Sequence, residues 1–143
     1  MVTNGPIGPW PGDLQRSRVS VAQVLHDQES LLDFDARVTE HYREAISYAL
    51  YKRFPTARSL LVVEEDMEAA NDLLWYFAQL EPLLQEDPTL WCISAWNENC
   101  PAPFAADLTG LSRSDVFSGS LAWMLPAELY RKELLLRWPS RDW

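Results

Sequence analysis

The first half of the chain alternates apolar and polar positions in the way that helices do. From Ser20 onwards, apolar side chains recur at intervals that fit one helical face, with Ser20 as the N-cap. These positions are Val21, Val24, Leu25, Leu31 and Leu32. A second helix is predicted over residues 35–54, and Pro55 would stop it. Its apolar side is formed by Tyr42, Ala45, Ile46, Ala49 and Leu50.

The pattern changes at residues 59–63, Ser-Leu-Leu-Val-Val, a short apolar run that ends in β-branched residues. Such a run predicts a strand that is buried on both faces, as in the centre of an α/β sheet. A helix through residues 73–80 is predicted next, with Asn71 or Asp72 as its cap. Pro82 is expected to kink or end the regular part of this helix.

Two more apolar segments complete the pattern. Residues 90–96 form a second strand candidate, and residues 116–125 an extended apolar segment. A turn is predicted at 86–88 and a long loop over 97–114. Pro126 is placed where it can open a helix over 127–136. The order of these elements predicts an α/β fold with a mixed sheet.

The beginning of the chain has a different composition. Residues 1–12 hold three prolines and three glycines, which predicts a flexible Pro/Gly-rich tail over 1–17 and one domain over 18–143. The tail lacks the basic and apolar regions of a signal peptide, and no stretch reaches the roughly 18–20 apolar residues of a membrane span. We therefore expect no membrane segment in this chain.

The charge balance excludes one class of partner. The chain has 143 residues with 12 basic and 21 acidic side chains, a net charge of −9. Without a cluster of Lys and Arg, the electrostatic attraction that dominates nucleic-acid binding is missing, so nucleic acid is not an expected partner. The two cysteines, Cys92 and Cys100, are too few for a disulfide framework and wrongly spaced for a CxxC site, although a bridge between them stays open.

The most informative feature is the acidic triplet Glu64-Glu65-Asp66 directly after the predicted strand. In open α/β sheets, ligands bind at the carboxyl ends of strands, so these carboxylates are expected to face a cleft. Hard divalent cations take oxygen ligands and often only one or two carboxylates plus substrate phosphates, which suits a diphosphate substrate. The alternative is a solvated acidic turn, favourable near the positive end of the following helix.

Other candidate residues are weaker. Asp33-Phe34-Asp35 also has the Asp-x-Asp form of metal-diphosphate sites, but it lacks a buried strand before it, and Asp35 is interpreted as a helix cap. His26 and His41 are isolated and fit ordinary helix positions. Trp96, at the end of a predicted strand, is the best candidate for the wall of a cleft.

Several segments resemble the N-acetylglucosaminyltransferase I family. The resemblance is strongest in Leu-Val-Val-Glu-Glu-Asp-Met-Glu-Ala-Ala at 61–70 and in Asp-Pro-Thr-Leu-Trp-Cys-Ile-Ser-Ala-Trp-Asn at 87–97. It continues through Phe117, Gly119, Leu121, Trp123 and the Trp138-Pro139 pair. Overall it covers roughly residues 38–139, and the acidic triplet together with residues 91–97 is a specific signature.

The resemblance implies a partial GT-A, Rossmann-like domain. Such a protein transfers N-acetylglucosamine from UDP-N-acetylglucosamine to a mannose-terminated glycoprotein glycan in the Golgi, with inversion and with Mn²⁺ as cofactor. Asp66 corresponds to the position that touches the metal, and Glu64 and Glu65 correspond to neighbours that contact the donor. Cys92 corresponds to a family cysteine that pairs with a later one; from its own surroundings it is interpreted as a small buried apolar residue.

The same comparison leaves the catalytic base unassigned. In the family, the base lies in a Trp- and Asp-rich motif just after the position of Trp138-Pro139, where this chain reads Arg141-Asp142-Trp143. Asp142 is a candidate, but Trp143 aligns better with the tryptophan that precedes the acidic residues, so the base is expected just past the C-terminus. Segment 118–123 is also one residue longer than the family's form. Two alternatives stay open: a non-catalytic fragment or interaction module, and a generic cation-binding domain.

Overall fold

The structure, a computed structural model, describes residues 2–4, 22–24, 34–64, 66–96, 110–115 and 121–141. They belong to two compact units, one formed by residues 1–56 with 135–143 and the other by residues 57–134. No helix in these ranges is long and apolar enough to cross a membrane. The predicted boundary between a tail and a domain at residue 17 lies outside the described residues.

A long helix dominates the first unit. Helix α1 covers Phe34–Ser47 and continues as a π-helical segment, Tyr48–Arg53, so the helix predicted over 35–54 is confirmed. Ile46 and Leu50 from its predicted apolar side are buried. Asp35 lies in the first turn rather than before it, where its charge favours the positive helix end. In the same unit, the Trp138 indole N–H donates to the carbonyl of Thr39 at 3.0 Å.

Two short parallel strands also belong to this unit. Strand β1, Val2–Asn4, pairs with β2, Ala22–Val24. The helix predicted from Ser20 is therefore wrong at 22–24, because pairing with β1 satisfies the backbone groups that a helix would otherwise use. The rest of that predicted helix, residues 25–32, lies outside the described residues.

The second unit is built on a three-stranded sheet. Strands β3, Ser59–Val63, β4, Ile93–Ser94, and β5, Ala122–Pro126, are arranged in the order β3-β5-β4. Both pairings are antiparallel. The mixed sheet predicted from the sequence is thus not what these strands form: β3 and β4 run in the same direction, but β5 lies between them and bonds to both.

The position of β3 in the sheet differs from the prediction. Its bounds, 59–63, are as predicted, but it lies at an edge and its side chains are half-buried or exposed. The strand that is buried is β5, where residues 122–125 are all buried. A strand is buried when it has a neighbouring strand on each side. The order of the strands depends on residues far apart in sequence, so an apolar run alone does not predict it.

Helix α2, Leu73–Glu86, covers one face of the sheet. Asp72 occupies the N-cap position as predicted, although its side chain makes no capping hydrogen bond. The helix continues through Pro82, although this residue was expected to kink or end it. Pro82 has no N–H to donate to the carbonyl of Ala78. Because both residues are exposed, solvent can bond to that carbonyl instead. The core between helix and sheet contains Phe77, Leu84, Ala122 and Met124.

The end of the chain is helical but irregular. Helix α3, Ala127–Leu129, begins after Pro126 and continues as a π-helical turn, Tyr130–Leu134. A 3₁₀ turn, Leu135–Arg137, belongs to the first unit. Helices and strands are mixed along the described part of residues 57–134, in the order β3, α2, β4, β5, α3, which agrees with the predicted α/β class.

Candidate functional site

One end of the sheet collects the residues that follow β3 and β4. The Glu64 backbone N–H, just after β3, donates to the carbonyl of Leu121 at 2.8 Å. The Ala95 N–H, just after β4, donates to the carbonyl of Ala122 at 2.9 Å. Because neighbouring strands lie about 4.8 Å apart, the backbones of Glu64 and Ala95 are about 10 Å apart across the start of β5. The structure therefore brings the predicted acidic segment and the predicted aromatic wall to the same end.

Leu121, at this end of the sheet, has an unusual backbone conformation. It is the residue before β5, and its φ of 77° lies in the left-handed region. Residues other than glycine, asparagine and aspartate avoid this region. Backbone strain of this kind costs on the order of 1–2 kcal/mol per residue and concentrates at ligand-binding and catalytic sites. The bond from Glu64 holds the strained residue in place.

The other side of the site is fixed by a small hydrogen-bond network. The Trp96 N–H donates to Ser94 Oγ at 3.0 Å, and Ser94 Oγ donates to the Trp96 carbonyl at 3.1 Å. The Tyr76 hydroxyl donates to the Ser94 carbonyl at 2.9 Å, and burial raises the pKa of this phenol. The Trp96 side chain is 48% exposed. It is thus an aromatic surface on a constrained turn, which is the arrangement required of a cleft wall.

Acidic residues follow β3 at the same end of the sheet. Glu64 is half-buried, while Asp66 and Glu68 are exposed on the segment that leads into α2. Glu65 lies outside the described residues. Tyr76, in the first turn of α2, bonds to the end of β4, so the positive N-terminal end of a 14-residue helix lies at the same end of the sheet. An oxygen-rich anion bound here would be attracted by the helix N-terminus, and a cation would be attracted by the carboxylates.

The donor set limits the kind of metal site that fits. Among residues with a described placement, no three His, Cys, Asp or Glu side chains are grouped closely enough to hold a metal ion. An all-protein metal cage is therefore not formed by these residues. Asp66 fits a different arrangement, in which one exposed carboxylate and the phosphates of a substrate share a hard divalent cation.

The remaining predicted residues lie elsewhere. Asp35 and His41 lie in α1, in the other unit, while Asp33, Cys100 and Asp142 fall outside the described residues. Cys92 has a free thiol, and burial raises its pKa to about 12, in keeping with a small apolar residue rather than a nucleophile.

Sequence reasoning missed three features of the site. Nothing in the sequence marks Leu121 as a left-handed residue, since leucine is the wrong residue type for that conformation. The bonds of Ser94 to Trp96 follow a local pattern in which a serine hydroxyl bonds to the backbone two residues later, and a Ser-x-Trp sequence is compatible with it. Tyr76 reaches Ser94 only through the packing of α2 on the sheet.

The chain is similar in sequence to known proteins over most of its length. The family model described as GNT-I family matches residues 18–143. An Arabidopsis thaliana protein named alpha-1,3-mannosyl-glycoprotein 2-beta-N-acetylglucosaminyltransferase is 35% identical over 107 residues, which is 75% of this chain and 23% of that protein. The chain thus spans about a quarter of the length of the curated relative that it matches.

Proposed function

This chain belongs to the GNT-I family, and from that membership we propose that the protein transfers N-acetylglucosamine from UDP-N-acetylglucosamine to a mannose residue of a glycoprotein glycan. The name of the Arabidopsis relative supports the transferred sugar and the mannosyl-glycoprotein acceptor. A GT-A fold and a location in the Golgi are part of the same proposal.

The observation that carries the proposal is the shared end of β3 and β4. The acidic segment that begins at Glu64, the constrained, half-exposed Trp96 and the N-terminal end of α2 lie at this same end of the sheet. A nucleotide sugar has a diphosphate that requires a cation or a helix end, and rings that can stack on an indole. The two requirements are met by residues on opposite sides of one β-strand.

The acidic residues have separate roles in this proposal. Asp66, which is exposed, would bind Mn²⁺ through one carboxylate, and the half-buried Glu64 together with Glu65 would contact the donor. When bound, Mn²⁺ would neutralise the charge that develops on the departing UDP. Glu64 is suited to positioning because its backbone is hydrogen-bonded into the sheet at 2.8 Å, whereas Asp66 lies beyond the last ladder bond.

The transfer itself is a single displacement. The acceptor hydroxyl oxygen attacks the anomeric carbon from the side opposite UDP, the new C–O bond forms as the bond to the diphosphate breaks, and the configuration inverts. The hydroxyl proton goes to a carboxylate base. Asp142 and an acidic residue beyond Trp143 in a longer form stay the two candidates for that base, and both lie outside the described residues.

The proposal is tested by calorimetric titration of the 143-residue chain with UDP-N-acetylglucosamine, in the presence and absence of Mn²⁺. We expect binding that requires Mn²⁺ and is stronger than binding of free UDP under the same conditions, because the sugar also contacts the protein. Free UDP is the matched control, since a plain cation site would bind both ligands equally. A folded chain that binds neither ligand contradicts a donor site here and favours the non-catalytic interaction module. A chain that binds both ligands equally contradicts it too and favours a generic cation-binding domain.

A further inference from the structure

The Tyr76 side chain joins the start of α2 to the end of β4. Its backbone N–H donates to the carbonyl of Asp72 at 2.8 Å, which fixes the residue in the first turn of the helix. Its hydroxyl donates to the carbonyl of Ser94 at 2.9 Å. Because a carbonyl only accepts, this bond requires a protonated phenol, and burial raises the pKa of Tyr76 above its usual value of about 10. The hydroxyl is therefore a hydrogen-bond donor at neutral pH.

The peptide group between Ser94 and Ala95 is held from two sides. Its carbonyl accepts from Tyr76, and its N–H donates to the carbonyl of Ala122 at 2.9 Å. In an antiparallel pair, successive residues face the partner strand and face away from it in turn, so Ser94 directs its carbonyl away from β5. A bond to β5 cannot orient this carbonyl, and the Tyr76 hydroxyl does so. The orientation of this peptide sets the direction in which the chain leaves β4 towards Trp96.

The Tyr76 hydroxyl also closes a ring of contacts around this end of the sheet. Glu64 donates its backbone N–H to the carbonyl of Leu121. Ala95 donates to Ala122, which follows Leu121 in the chain. From β4 the ring continues through the Tyr76 hydroxyl into α2, and the chain before α2 leads back to Glu64. Two of these three hydrogen bonds join backbone groups, and only the third depends on a side chain. The identity of residue 76 thus decides whether the ring closes.

We propose that Tyr76 is a positioning residue of the donor site, whose hydroxyl fixes the turn that carries Trp96 relative to the acidic segment. This inference rests on the proposed function, in which one nucleotide sugar reaches both the Trp96 indole and a cation at Asp66. A ligand that contacts two groups binds more tightly when their spacing is preset, because ordering them on binding costs free energy. Tyr76 acts through the Ser94 carbonyl and makes no contact with the donor itself.

The ring and the hydroxyl of Tyr76 can be tested separately. The ring lies edge-on to that of Phe77, with 5.1 Å between the ring centroids, and packs against the core between helix and sheet. Phenylalanine at position 76 keeps these contacts and removes only the hydroxyl, so Y76F leaves no large cavity. Y130F is the matched control, since Tyr130 is a buried tyrosine of the same unit, in the π-helical turn after α3.

The first measurement is NMR of the ligand-free 143-residue chain. In Y76F we expect the backbone amides of Ala95 and Trp96 to exchange roughly 3–10-fold faster, the effect of losing one hydrogen bond, and the order parameter of the Trp96 indole N–H to fall. The Glu64 amide, which bonds on the other side of β5, is the internal control and should change little. Y130F should leave all these values unchanged. No change at Trp96 in Y76F, or an equal increase in exchange at Glu64, overturns the proposal.

The second measurement is a double-mutant cycle for donor binding. Y76F is expected to weaken the Mn²⁺-dependent binding of UDP-N-acetylglucosamine by roughly 3–10-fold, and Y130F should have no effect. W96A removes the indole that the turn positions, so Y76F added to W96A should cause little further loss. An equal loss from Y76F in both backgrounds would mean that the hydroxyl does not act through Trp96, and would overturn the proposal.

The failure of this inference is distinguishable from the failure of the proposed function. If the unmodified chain bound no donor, the donor site would be wrong, and the role of Tyr76 in donor binding would be wrong with it. If the unmodified chain bound the donor with Mn²⁺ and Y76F bound it equally well, the donor site would stand and the positioning role alone would be overturned.

Discussion

Glu64 donates its backbone N–H to the carbonyl of Leu121, a residue with a φ of 77°, at a distance of 2.8 Å. The first residue of the acidic segment is thus bonded to the one non-glycine residue with a positive φ in the described part of the chain. The strain lies at the start of β5, and β5 separates the two sides of the proposed donor site. A site that depends on this geometry should be sensitive to how easily residue 121 adopts a positive φ.

We therefore predict that alanine and glycine at position 121 give proteins of different stability. L121A and L121G remove almost the same side chain, but glycine adopts a positive φ without a steric penalty. The glycine variant should be more stable than the alanine variant by roughly 1 kcal/mol, measured by urea unfolding. Leu121→Ala is thus the matched control for lost packing. Equal stabilities for both variants would mean that residue 121 is not held at a positive φ.

Asp66 should matter for metal-dependent binding and Glu68 should not. D66N removes the carboxylate charge at the proposed metal ligand, and we expect Mn²⁺-dependent affinity for UDP-N-acetylglucosamine to fall by at least about 10–100-fold, the range seen when even indirect metal partners are lost. E68Q makes the same chemical change at another exposed acidic residue of the segment. Equal losses in the two variants would favour a diffuse acidic surface over a defined ligand.

The turn after α2 should show a pH dependence of known sign. The side chain and backbone N–H of Thr89 both bond to Asp87, which lowers the pKa of that carboxyl, with a smaller contribution from the charge of Arg113. A lowered pKa stabilises the folded state above the ordinary carboxyl pKa, and the gain is lost as pH falls through the lowered value. T89V should raise the pKa of Asp87, measured by NMR titration.

R113Q is the comparison for that titration. Arg113 Nη1 lies 3.5 Å from Asp87 Oδ2, and both side chains are solvent-exposed, so removing the charge should raise the pKa of Asp87 less than T89V does. If R113Q raised the pKa of Asp87 more than T89V does, the charge of Arg113 and not the bonds from Thr89 would be the main cause of the lowered pKa.

Cys92 should be unreactive in the folded chain. Burial raises the pKa of its thiol to about 12, so almost no thiolate is present at pH 8. In a C100S background, the reaction of Cys92 with a disulfide reagent should be slow in buffer and fast in denaturant. The unfolded thiol ionises near its ordinary pKa of about 8.5, so the contribution of Cys92 to stability is present below that pH and is lost as pH rises towards 12. Rapid reaction of the native thiol at pH 8 would contradict its burial.

Much of the local structure was predictable because it depends on residues close in sequence. The run at 59–63 gave the bounds of β3, and the apolar spacing before Pro55 gave the helix through Leu50. The edge position of β3 was not predictable, since it follows from pairing with residues about 60 positions later. The same limit applies to β2, where pairing with the first residues of the chain replaced a predicted helix.

The candidate site, too, was predictable in its local features and not in its long-range geometry. Glu64 stood out as the residue directly after an apolar run, and Trp96 as the last residue of another, which predicted a place for each at the end of a strand. Their separation by a single strand depends on β5, whose first residue follows a left-handed leucine that no composition or periodicity indicates. Chemistry was therefore read from residue types, while the geometry came from long-range pairing.

The most direct test of the donor site is paramagnetic broadening of backbone NMR signals by Mn²⁺ in the presence of UDP-N-acetylglucosamine. Glu64 and Ser59 lie at opposite ends of β3, about 17 Å apart at 3.3 Å per residue. The account predicts strong broadening at Glu64, Asp66, Leu121 and Ala95, and much weaker broadening at Ser59, with Mg²⁺ as the diamagnetic control. Broadening centred at Ser59 or spread evenly over the acidic surface would contradict a donor site at this end of the sheet.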